Sequence, residues 1–135
     1  MNSTALEPKF SRVHIIIFIC AAAVFLLAAV FGALSGISYG KSEATYAQAR
    51  DIATALKFFN ADQGQYPTAT QFSSQMILSP IYMSTMPQPE DVSGSCSKYP
   101  QFAYDLNSTY GYVLQFCLLQ GVGGAQAGVN YLTAN

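Results

Sequence analysis

The sequence predicts an α+β fold, with one long N-terminal helix packed on a small antiparallel β-sheet. Three observations carry it. Residues 13–40 hold no Asp, Glu, Lys or Arg, and Ile15 to Leu34 are almost wholly Ile, Phe, Ala, Val and Leu. Next, Ala49, Ile52, Ala55, Leu56 and Phe59 recur at steps of three and four, the spacing of one helix face. Last, residues 102–133 alternate apolar and polar side chains between turn-forming residues, the period of a half-buried strand.

The first element reads as a membrane span. About 20 apolar residues rising 1.5 Å each cross the roughly 30 Å hydrocarbon core. A buried core helix of this kind needs a larger protein around it than the residues that remain. A cleaved secretory signal is expected to be shorter and to end at an A-x-A-like site, whereas Ala33-Leu34-Ser35 is a poor one. The organisation that follows is a cytoplasmic segment 1–12, a transmembrane helix 13–38 and an extracytoplasmic domain 39–135. Lys9 and Arg12 precede the span against Glu7 alone, while Lys41 and Glu43, and Arg50 and Asp51, offset each other beyond it. Basic residues favour the cytoplasmic side, which puts the N-terminus inside.

No proline occurs from residue 9 to 66, so the span is expected to continue into the amphipathic helix from about Val13 to Asn60, roughly 70 Å of helix. Gly64 is placed as its C-terminal cap, and Pro67 cannot extend it. A short helix is expected within Phe72 to Tyr82, broken by Pro80, Pro87 and Pro89, and residues 88–100 read as loop. Strands are expected over Phe102 to Leu106, Tyr110 to Leu118 and Gly128 to Thr133, with turns at Asn107-Ser108 and Gly121 to Gly124. In the second strand Tyr110, Tyr112, Leu114, Phe116 and Leu118 share one face, and Gly111, Val113, Gln115 and Cys117 share the other. The aromatic face needs cover, and the Ala49–Phe59 helix face is the large partner at hand.

This layout resembles the type IV pilin-like proteins, and more closely the major pseudopilins of type II secretion systems. The residues that carry the resemblance are the apolar-then-amphipathic helix, the junction Phe58-Phe59-Asn60-Ala61-Asp62-Gln63-Gly64-Gln65-Tyr66-Pro67, the loop Tyr82-Met83-Ser84-Thr85-Met86-Pro87, and the strands around Tyr104 and Tyr112-Val113-Leu114. It extends over residues 13–135. What it implies is a non-enzymatic subunit of the inner, cytoplasmic membrane with a structural role in a type II secretion or type IV pilus-like apparatus. Its partners would be the lipid bilayer and other pilin-like subunits or assembly machinery, met through the N-terminal helix. The family's processing signal, a glycine followed by Phe-Thr-Leu-Ile-Glu, has no counterpart in Lys9-Phe10-Ser11-Arg12-Val13-His14. The alternative is an unprocessed single-pass protein whose outer module binds a ligand or partner.

Several residues invite a functional reading. Ala28, Gly32, Gly36 and Gly40 repeat every four residues, a stripe of small side chains that lets helix backbones approach within a membrane. The same glycines could instead soften the helix. Cys96 and Cys117 would close a 21-residue separation worth about 3 kcal/mol in an oxidising compartment, with two free thiols as the alternative. Cys20 and His14 read as a small apolar residue and a polar flank of the span. No catalytic residue is expected, because the outer domain has no histidine for a Ser-His or Cys-His pair. No cofactor or metal is expected either. Glu90, Asp91, Asp105 and Asn107 are oxygen donors suited to calcium but match no loop spacing. Six basic residues form no patch for nucleic acid.

Overall fold

The computed structural model describes residues 12–74, 77–90 and 92–134. Glu7, Lys9, the rest of the 1–11 segment and Asp91 lie outside them, and so do the expectations placed on those residues. The chain divides into two compact units, one ending at Gly36 and the other comprising Ile37–Asn135.

One α-helix, α1 (Arg12–Gln63), runs through the division. It closes where the Gly64 N–H donates to the Asn60 carbonyl at 2.8 Å, with Gly64 at φ +72°, a backbone region that costs a side-chain-bearing residue but not glycine. In the first unit every residue from Arg12 to Gly36 is exposed, Phe25 by 77%.

In the second unit α1 packs on a three-stranded antiparallel sheet of order β1-β2-β3, formed by β1 (Ala103–Asn107), β2 (Gly111–Leu118) and β3 (Gly128–Thr133). The register sets Tyr104 opposite Leu114 and Leu114 opposite Leu132. Ala49, Ile52, Ala55, Leu56 and Phe59 from the helix meet Tyr112, Leu114, Phe116 and Leu118 from β2 in one core, joined by Phe72, Leu78 and Phe102. The expected apolar face of the helix is therefore the buried one. It also extends two polar positions upstream, to Ser42 and Thr45, both fully buried.

Four local differences from the sequence reading have simple causes. The short helix lies at α2 (Ala69–Ser73), not within 72–82. Thr68 and Gln71 form a capping box there: Gln71 N–H donates to Thr68 Oγ1 at 3.2 Å, and Thr68 N–H donates to Gln71 Oε1 at 2.8 Å. Within the 88–100 loop, Gly94–Cys96 form one 3₁₀ turn, η1. Tyr110 stands outside β2 and is 48% exposed, because the Asn107 Oδ1 accepts from the N–H groups of Thr109 and Tyr110 and turns the chain first. Cys117 lies on the outer face as expected and is nonetheless buried, because a disulfide to Cys96 covers it.

Candidate functional site

In the first unit the site is the helix surface itself. Val13, Ile15 to Ile19, Val24 to Leu27, Val30, Phe31 and Leu34 are all roughly half to three-quarters exposed. Leaving such a side chain in water rather than burying it costs about 1.5–3 kcal/mol, so this surface calls for an apolar environment. The helix is long and apolar enough to cross a membrane, and the apolar stretch is wholly unburied. Gly32 and Gly36, and Gly40 in the second unit, are helical, and a Cβ added at any of them would meet nothing within 4 Å. Ala28 is likewise exposed. The stripe of small residues is thus open to a neighbour. Cys20 is a free, exposed thiol on the same helix, and His14 is exposed near its start.

In the second unit two buried hydroxyls of α1 hold distant loops. Thr45 Oγ1 accepts from the Glu90 N–H at 3.0 Å, and Ser42 Oγ accepts from the Gln120 N–H at 3.1 Å. The Tyr46 hydroxyl donates to the Gly123 carbonyl at 3.2 Å. Sequence reasoning missed Ser42 and Thr45 by following only apolar residues. Yet 42, 45, 49, 52, 56 and 59 continue one three-and-four spacing, which is the signal that finds them. The Cys96–Cys117 disulfide ties η1 to the outer face of β2, with the Cα atoms 5.5 Å apart.

A tyrosine cluster lies against the helix. Tyr66 meets Tyr112 edge-on at 5.0 Å, and Tyr104 stacks on Phe72 at 4.4 Å. The Tyr104 hydroxyl donates to the Pro67 carbonyl at 2.6 Å. That of Tyr112 is buried without a partner. Burial pushes the Tyr112 phenol up to about 12, and the neighbouring Tyr66 adds to the shift. Burial, then Tyr112, Tyr66 and Asp105, raise Tyr104 as well. Both are neutral hydroxyls at physiological pH, as an unshifted tyrosine would be.

Two open grooves flank the exposed ridge of α1. One, of about 450 Å³, lies between Asp51, Thr54 and the loop Tyr82 to Pro87. The other, of about 200 Å³, is lined by Arg50, Lys57 and Leu132 among others, and Thr54 borders both. Among the described residues no three His, Cys, Asp or Glu side chains gather as a metal site. Asp105 and Asn107 sit on β1 and Glu90 at the Thr45 contact.

Comparison with protein-family models, with curated proteins and with solved structures finds no match to this chain.

Proposed function

We propose that this chain is a non-enzymatic, pilin- or pseudopilin-like subunit of the cytoplasmic membrane, with its N-terminus in the cytoplasm and residues 39–135 outside. Its role is structural, in the assembly of a type II secretion or type IV pilus-like apparatus. The observation that carries this reading is α1 itself. One uninterrupted helix leaves its apolar turns uncovered, while its later turns supply five of the twelve residues in the core of the sheet unit. A helix so divided anchors in lipid at one end and fixes a folded body at the other. The open stripe at Ala28, Gly32, Gly36 and Gly40 is the part suited to close approach of a second helix in the membrane. The Cys96–Cys117 disulfide supports an oxidising compartment for the sheet unit.

A second reading draws on the absence of any acidic residue in 13–40. Here the chain is a permanently anchored module that stays single in the membrane and binds a partner through its outer unit. Cross-linking in native membranes separates the two. In a Cys20→Ala chain, Ala28→Cys is expected to form intermolecular disulfides on oxidation, whereas Val30→Cys, two residues on and across the helix, is not. No cross-link at either position would sink the assembly reading and leave the anchored module.

A further inference from the structure

The outward side of α1 in the second unit carries an unusual division of charge. Arg50 and Lys57, seven residues apart, fall on one flank, and Asp51 and Asp62, eleven apart, fall on the other. All four are exposed, and none makes an ion pair with another described residue. They cannot neutralise each other along the helix, because no acid–base pair among them is spaced i,i+3 or i,i+4. The grooves repeat the division: the larger contains Asp51, the smaller Arg50 and Lys57. Beside the acidic flank stands Phe58, 59% exposed although its neighbour Phe59 is buried in the core.

We propose that this ridge docks a second copy of the chain, the Asp51–Phe58–Asp62 edge of one copy seating in the Arg50–Lys57 groove of the next. The proposal rests on the assembly reading above and names the surface that reading lacks. The two halves of the contact are complementary in charge. Phe58 finds apolar cover in Leu132 and Ala53, which line the basic groove. Along the helix the acids span about 16 Å and the bases about 10 Å, a difference that the long Arg and Lys side chains bridge. Because donor and acceptor lie on opposite flanks of one helix, each copy keeps one flank free after pairing. The contact is heterologous, and repeating it builds an open row rather than a closed dimer. Interfacial charges of this kind set register and specificity as well as attraction.

The test uses the full chain reconstituted in bilayers of zwitterionic lipid. A zero-length carboxyl–amine coupling reagent should join Lys57 of one copy to Asp51 or Asp62 of another, identified by mass spectrometry, with a yield that falls at least fivefold from 50 to 500 mM salt. Arg50→Glu with Lys57→Glu should abolish self-association, as should Asp51→Lys with Asp62→Lys. An equimolar mixture of the two variants should associate again, which also shows that both are folded. Phe58→Ala should weaken association about tenfold. If the charge-reversed variants each associate like the parent chain, or the mixture stays apart, the docking surface is wrong. When that happens while Ala28→Cys still cross-links, the assembly reading survives. When neither association nor that cross-link is seen, both fail.

Discussion

Thr45 and Glu90, 45 residues apart, are joined by one hydrogen bond in which the Glu90 N–H donates to the Thr45 hydroxyl oxygen at 3.0 Å. Together with Ser42 and Gln120 it fastens two loops to a helix stretch that carries no buried apolar side chain until Ala49. A polar side chain at a fully buried helix position is tolerated only when it is paired, and here the pairing defines where the loops sit.

Replacing Thr45 by Val keeps the shape and removes the acceptor. The Glu90 N–H then loses its partner at a part-buried site, a cost of about 1–3 kcal/mol. Chemical denaturation of the chain in detergent, followed by tyrosine fluorescence, should show that loss, and Thr45→Ser should recover most of it.

Gly111 opens β2 at φ +76°, and a Cβ there would stand 2.8 Å from a Tyr66 ring carbon and 3.0 Å from the Ala134 Cβ. Backbone strain and overlap both count against any side chain, each worth about 1–3 kcal/mol. Gly111→Ala should lower the thermal midpoint well beyond the change produced by Gly124→Ala, where a Cβ meets nothing although φ is also positive.

The Tyr112 hydroxyl is buried and unpaired, so its polar atom gains nothing from folding. Tyr112→Phe should hold or raise stability at pH 7, by about 1 kcal/mol or less. The same residue predicts an alkaline limit. Its folded pKa of about 12 lies above the ordinary value of 10, so the folded chain keeps a proton that the unfolded chain releases. The stabilisation is complete below pH 10 and falls away as pH rises towards 12. Denaturation midpoints measured from pH 8 to 11.5 should decline more steeply for the parent chain than for Tyr112→Phe.

Reducing the Cys96–Cys117 disulfide, or replacing both cysteines by Ser, removes a link across 21 residues and should cost about 3 kcal/mol. The loss should show as a lower denaturant midpoint. The first unit should keep its helicity, since Cys20 is free and takes no part.

The large elements were legible in the sequence because each is governed by one strong period. The three-and-four spacing of Ala49 to Phe59 gave the helix face, and alternation from Tyr112 to Leu118 gave the inward face of β2. What escaped were features decided by polar side chains. Thr68 and Gln71 start a helix that the sequence reading placed later, within Phe72 to Tyr82, and Asn107 claims Tyr110 for a turn. The spacing of Ser42 and Thr45 continues the buried helix face, but the loops that they hold are not in that spacing. Their partners lie 45 and 78 residues away, beyond the reach of any local pattern. The stripe at Ala28, Gly32, Gly36 and Gly40 was readable as spacing, while the division of charge between the flanks of α1 needed the burial of its inner face to define which side is outward.

The core described above has its halves far apart in the chain: Ile52, Leu56 and Phe59 come from the helix, and Leu114, Phe116 and Leu118 from β2. A ribosome therefore delivers the helical half some fifty residues before its cover. During translation the apolar side of the helix waits for its cover until the strands are made. Folding of the second unit is thus a late event, and the helix face stays an uncovered apolar surface until β2 is made.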